Sequence, residues 1–250
     1  MANRLRGLLL PVFLLIAAEL YFVIGNVTSY SLAPPSAILH AGIGAFGDGS
    51  LLELTAETLF MAVSGLLIGG LIGLSLGLLF GSVSALNRLF NFTIETLRPI
   101  PPVALIPVPI LILGVGYRME ISLVAFACAW PVLLSTRDAL RSVEPTLHEV
   151  ASILQFKPYQ TITKIVLPAA LGRIIVGWRV AIGLSLIVAI TVEIAANPLG
   201  LGHATIRAEE SLNPALALAY IVWIGILGFL ISYLVTGLSN KFEYRGGGHA

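Results

Sequence analysis

The sequence predicts an all-α polytopic membrane protein with about six transmembrane helices, and three observations predict it. First, 57% of the 250 residues are hydrophobic and only 11% are charged, with a mean hydropathy of +0.96; soluble domains carry about a quarter charged residues. Second, the apolar residues gather into runs long enough to cross a hydrocarbon core, which takes about 20 residues of helix. Third, one long stretch breaks the pattern. In residues 141–167, Leu147, Val150, Ala151 and Leu154 fall at helical spacing while His148, Glu149, Ser152 and Gln155 occupy the other side. That is an amphipathic surface helix in need of a partner. Spans are expected at about 8–24, 59–85, 94–113, 121–136, 168–196 and 212–240, all within a single transmembrane domain, residues 1–250.

In the first span, Arg4 and Arg6 precede an apolar run that is longer than the core of a typical signal peptide and lacks a small-x-small site after it, so it is read as a span. Residues 26–52 follow as a loop with a short interfacial helix from Ser36. Within it, Gly42-x-Gly44-x-x-Gly47 matches a dinucleotide fingerprint in letters only; no strand precedes it, so these are loop glycines. The second span places Gly65, Gly69, Gly73, Gly77 and Gly81 at every fourth residue. Such a stripe lets another helix come close enough for dispersion contacts, which lipid cannot match by hydrophobicity alone. Asn87 and Arg88 form a polar turn.

The third span is interrupted by Arg98 and by Pro99, Pro101, Pro102, Pro107 and Pro109. Proline removes backbone hydrogen bonds, and the freed carbonyls must be met by protein or by water in a cavity, so this span is expected to face a pathway and not to be a regular helix throughout. Arg118 and Arg137 bound the fourth span, where Trp130-Pro131 predicts a bend. Pro145, Pro158 and Pro168 each suit the first turn of a helix, so the polar stretch reads as two short helices and the start of the fifth span. The fifth span holds Arg173, Arg179 and Glu193; residues 197–213 form a polar loop; the sixth span, 212–240, carries no charge, and a short polar tail with Gly246-Gly247-Gly248 follows. With both termini on one side, Arg4, Arg6, Arg88, Arg98, Arg137, Arg141, Lys157, Lys164, Arg173, Lys241 and Arg245 fall on or beside that side, and only Arg118 and Arg207 on the other. Basic residues concentrate in cytoplasmic loops, which makes the polar stretch and both termini cytoplasmic.

Glu149-Val150-Ala151, then Gln155 after three residues, then Ile165-x-Leu167-Pro168 after nine more resembles the signature loop of ABC importer permeases. Arg98-Pro99-Ile100-Pro101-Pro102 through Pro107 resembles the third-span signature of their sulfonate, nitrate and taurine branch, and the segment from Glu193 to Pro198 resembles another recurring piece of it. The resemblance implies a type I ABC importer transmembrane domain with two short cytoplasmic coupling helices between spans four and five. It implies that Glu149, Val150, Ala151, Gln155, Lys157, Ile165, Leu167 and Pro168 couple to nucleotide-binding ATPase subunits. It implies further partners: a periplasmic or lipid-anchored substrate-binding protein and a second copy of the chain or a homologous permease, all in a bacterial inner membrane. Two positions depart from the signature. Val150 replaces an alanine, and Gln155 replaces a glycine that lets the chain turn; the break is then expected from Lys157-Pro158.

Charges within spans are expensive and point to function. Arg98 and its neighbours Pro99, Pro101 and Pro102 either line the pathway or, for Arg98, the side chain snorkels to the surface. Arg179 pairs with a carboxylate or a carbonyl, or faces the pathway; Glu193 shapes an outer mouth or gate, or reaches water; Glu19 reads as a packing or interface residue. The net charge of +1 excludes the concentrated basic surface of a nucleic-acid binder. A single cysteine, Cys128, excludes an internal disulfide and reads as a small buried apolar residue. No G-x-x-x-x-G-K-[ST], H-E-x-x-H or G-x-S-x-G occurs, and the four histidines lie far apart. No catalytic residue, metal site or cofactor of its own is therefore expected; ATP and Mg belong to the partner subunits. Importing a small, anionic solute by alternating access is the function expected, against an ATP-independent secondary transporter or channel, and against a membrane scaffold or sensor.

Overall fold

The computed structural model describes residues 2–25 and 29–246. The expectations for Gly247-Gly248 and for the side chains of Arg4, Arg6, His148, Lys241 and Arg245 lie outside what is described. The described residues form mainly helices: α1 (Ala2–Ile24), α2 (Pro35–Gly47), α3 (Ser50–Ser82), α4 (Ser84–Leu97), α5 (Pro107–Leu113), α6 (Tyr117–Arg141), α7 (Pro145–Ile153), α8 (Pro158–Thr161), α9 (Leu167–Ala195), α10 (Gly200–Glu210) and α11 (Pro214–Gly246). A 3-10 turn, Pro102–Leu105, precedes α5, and a π-helical stretch, Ile162–Val166, leads into α9. By length and composition α3, α6, α9 and α11 can each cross a membrane, and the described part of α1 is a shorter apolar helix, Leu10–Ile24.

The glycines of α3 set the direction of the bundle. A Cβ on Gly65 would meet Val124, on Gly69 Ala125, on Gly73 Ala129, on Gly77 Thr136 and on Gly81 Leu140. The numbers climb together, so α3 and α6 run parallel, backbone against backbone. The connection between them must therefore return the whole length of the bundle. It does so in pieces: α4 climbs against α6, with Asn91 accepting from Arg137 at 3.1 Å and Ile94 buried beside Leu133; the 3-10 turn and α5 complete the climb. The expected third span, 94–113, is thus not one helix. Only seven of its residues belong to α5, because the prolines remove the donors a longer helix would need. Asn87 and Arg88 belong to α4 and not to a turn.

Helix α9 runs antiparallel to α6: Gly177 lies against Ser135 and Pro131, Cys128 Sγ lies 3.5 Å from the Ala181 carbonyl, and Asn197 meets Glu120. Cys128 is fully buried. Ala62, Leu66, Val124, Val132, Ala189 and Ile106 share the central core, so the proline-rich return segment packs its Ile106 into the bundle. A broken segment at membrane depth needs protein or water to meet its freed backbone groups, and Ile106 is the point at which this one enters the core. The outer surface is apolar, with Phe13, Leu111, Ile112 and Phe229 all more than 60% exposed, as lipid or a neighbouring subunit would require.

The short helix expected from Ser36 is α2, which extends over the expected loop glycines, and a second expected loop is helical as well. Gly42, Gly44 and Gly47 lie on α2, and Glu19 accepts from Ser36 N (2.9 Å) and Ser36 Oγ (2.6 Å), so that α1 caps α2. Most of the expected polar loop 197–213 is α10, whose Leu201, Thr205 and Ala208 fall at helical spacing on one buried side that the polar residues between them conceal.

Candidate functional site

The bundle has two chemically distinct ends. One, called inner here, carries α7, α8, the close of α3 and α6 and the start of α9; the other, called outer, carries the start of α3, α6 and α11, the close of α9, and α10. Arg88, Arg137, Arg141, Lys157, Lys164 and Arg173 lie toward the inner end with Asp138, Glu144 and Glu149, and Asp48, Glu53, Glu57, Glu120, Glu193, Glu209 and Glu210 toward the outer with Arg118 and Arg207.

At the inner end, α7 stops in a paired turn: Gln155 N donates to Ser152 O and Phe156 N to Ala151 O, both at 3.0 Å. This Schellman arrangement puts the residue after the cap in the left-handed region, and Gln155 sits there with φ 53°. The turn therefore comes from Gln155 itself, in spite of its side chain, and not from Lys157-Pro158 as the sequence suggested. Lys157 N is met by the Gln160 side chain at 2.9 Å, which helps α8 to start. Gln155→Gly is expected to remove a left-handed penalty of roughly 1 kcal/mol and to slow hydrogen exchange at the Phe156 amide about two- to fivefold; unchanged exchange would show that the turn carries no strain.

The amphipathic stripe of α7 is split between two neighbours. Ala151 is 3% exposed and packs inward, whereas Val150 (45%), Ile153 (79%), Leu154 (55%) and Tyr159 (75%) point away from the protein. A helix of nine residues covers its own chain with one edge only, so Val150 and Leu154 are left for another partner. Glu149, Gln155 and Lys157 are exposed beside them, Ile165 and Leu167 half-buried, and Pro168 exposed at the start of α9. Sequence reasoning missed Ile153 and Tyr159; large apolar side chains in a stretch this polar were the available signal. Behind the stretch lies a cleft of about 570 Å³ lined by Gly81, Arg141, Ala151, Phe156 and Val166.

The charged candidates within the spans are not brought together. Arg98 is exposed at the close of α4, with Pro99 and Pro101 also exposed and Pro102 half-buried at the 3-10 turn. Arg179 donates to Thr236 Oγ1 on α11 at 2.8 Å, a hydroxyl and neither of the partners expected, beside an apolar groove of about 680 Å³ between α9 and α11. Glu193 is 0% exposed and so does not reach water; its Oε2 accepts from Gly202 N at 2.7 Å.

Around Glu193 the structure assembles residues that sequence reasoning did not single out. Gly200 N donates to Glu57 Oε2 at 2.9 Å and Leu201 N to Thr58 Oγ1 at 3.0 Å. Asn197 Nδ2 donates to Glu120 Oε2 at 2.5 Å, and Glu120 is also 0% exposed. Glu57 and Glu120 lay just outside the apolar runs by which the spans were delimited, and only the packing of α10 shows what they serve.

The protein is thus an all-helical bundle whose crossing helices are joined at one end by a short amphipathic pair. Two solved structures share it: the inward-facing MetNI methionine ABC transporter, with a TM-score of 0.68 at 21% identity over 76% of this chain and 95% of that one, and an amino acid ABC transporter, with a TM-score of 0.63 at 18% identity over 81% and 97%. The fold is that of a type I ABC importer membrane domain.

Residues 65–244 match the family described as binding-protein-dependent transport system inner membrane component, and the chain belongs to it. Similar curated proteins include the putative aliphatic sulfonates transport permease SsuC of Escherichia coli, 30% identical over 88% of this chain and 84% of its own length. The taurine permease TauC of the same organism is 28% identical over 84% and 78%, and the bicarbonate permease CmpB of Synechococcus elongatus 29% over 77% and 70%. The chain is a multi-pass inner-membrane permease subunit of an ABC importer.

Proposed function

We propose that this chain forms the translocation pathway for a small oxyanion, by alternating access, as a pair with a second copy or a homologous permease. Separate ATPase subunits bind ATP and Mg and press on the inner end; a periplasmic or lipid-anchored binding protein delivers the solute to the outer end. The chain itself carries no ATP site. The observation that carries the coupling is the uncovered face of Glu149, Val150, Ile153, Leu154 and Tyr159 at the end where the basic residues gather. The positive-inside preference makes that end cytoplasmic, with both termini on the same side, and ATPases work only there.

Sulfonates, taurine, nitrate and bicarbonate, named for the relatives, all carry an oxyanion group. In this chain Arg179, at the α9–α11 groove, supplies a guanidinium of the kind that recognises one. Arg98, Pro99, Pro101 and Pro102 on the broken return segment form a second stretch of the wall in this reading, and Glu193 belongs to the outer gate.

The test is uptake into proteoliposomes holding the whole complex, with radiolabelled taurine, nitrate, bicarbonate and ethanesulfonate offered in turn. ATP-dependent uptake of at least one is expected, and Arg179→Gln should lower it tenfold or more, the loss of one charge-assisted contact, while Arg179→Lys keeps most of it. Uptake that persists without the ATPase subunits would establish the secondary-transporter alternative instead.

A further inference from the structure

The first turn of α10 has no capping side chain of its own. A helix start leaves its first amides without internal partners, and here three successive ones are met from other helices. Gly200 N and Leu201 N go to Glu57 and Thr58 on α3, and Gly202 N goes to Glu193 on α9. The carboxylates also suit the positive end of the α10 dipole. The seat is shaped for this backbone alone. A Cβ on Gly200 would strike the Glu193 carboxylate, and Gly200 has φ +80°; a Cβ on Gly202 would lie 2.6 Å from the Ile190 carbonyl. Asn197, in the link from α9 to α10, ties the same place to Glu120 on α6.

The consequence is mechanical. Because α3 supplies two caps and α9 the third, α10 cannot keep all of them if the outer ends of α3 and α9 separate.

We propose that Glu57, Thr58 and Glu193 are a latch that holds α10 across α3 and α9, and that releasing these backbone caps is the step that opens the pathway at the outer end. The inference rests on the ATP-coupled reading above and adds to it the residues that hold the gate. They act as positioning residues, touching no solute.

Leu201 N lies 3.0 Å from Thr58 Oγ1, so a cysteine pair at these two positions reports whether the first turn of α10 stays on α3, since a disulfide needs Cα atoms within about 7 Å. Thr58→Cys/Leu201→Cys, with Cys128→Ala, is assembled with the ATPase subunits in proteoliposomes and oxidised either without nucleotide or after trapping with ATP and vanadate. Near-complete cross-linking at rest and at least a fivefold fall on trapping are expected; equal cross-linking in both states overturns the latch. Glu57→Ala gives an independent reading. ATP hydrolysis without binding protein should rise threefold or more, and Glu57→Gln, which keeps an acceptor oxygen, should return it toward the parent level. Hydrolysis unchanged in Glu57→Ala overturns the proposal. A parent complex that hydrolyses no ATP overturns the ATP-coupled reading first, and the latch with it.

Discussion

Glu149→Lys is expected to leave the protein inserted and folded while lowering both recovery of the ATPase subunits with it and ATP-driven uptake by about a hundredfold or more. The physical case starts from exposure. Glu149 faces solvent on α7, and no hydrogen bond of its carboxylate holds the described structure together, so reversal has nothing internal to break. What it changes is the surface presented to the cytosol. Val150, Ile153 and Leu154 are exposed on the same short helix and Tyr159 on the next, the composition of an interface centre that expels water from a charge at its rim. Reversing a charge that is desolvated against a partner costs about 3 kcal/mol or more, which is the stated fold-change in affinity. Near-normal co-purification of the ATPase subunits with Glu149→Lys would detach this stretch from coupling altogether.

Much of the inner end could be read from residue order alone, and the outer end could not. The spacing of Glu149, Gln155 and Leu167-Pro168 needs no tertiary information, because the stretch is local and its partner lies outside the chain. The same holds for the glycine stripe, whose period of four is a helix face. What the sequence misplaced had two sources, local contests that propensity decides the other way and contacts far along the chain. Gln155 turns left-handed because the paired hydrogen bonds to Ala151 and Ser152 outweigh its side-chain penalty, a contest that propensity resolves in favour of glycine. Helix α10 looked like a loop because its buried side is only Leu201, Thr205 and Ala208. Glu57 and Glu120 looked like the polar fringe of their spans, yet one caps α10 and the other holds Asn197. Their meaning depends on residues some 80 to 140 positions away, which no short-range pattern contains.

The second large effect is expected from Gly69→Leu, which should cut the yield of folded, detergent-stable protein at least tenfold, read by size-exclusion profile and thermal melting. An added Cβ at Gly69 would overlap the Ala125 carbonyl oxygen and lie 2.7 Å from the Ala125 Cα. Both are backbone atoms of α6, so no rotamer change relieves the clash and the two helices must part. Between apolar helices in lipid, attraction comes chiefly from close dispersion contact, and a gap of 0.5–1 Å already forfeits about a quarter to a half of each contact's well. Since α3 and α6 touch from Gly65 to Gly81, parting at the middle loosens the whole seam. Gly172→Leu on α9 is the matched control, because a Cβ there meets nothing within 4 Å; it should fold and melt as the parent does. The pair also separates packing from transport. If α3 and α6 move as one body, a thrust on α7 at the inner end runs along α6 to Glu120 and crosses that seam to reach Glu57 on α3 at the outer end. Any Gly69→Leu protein that does assemble should therefore hydrolyse ATP with little uptake. Full uptake in that protein would mean that the thrust travels along α9 alone.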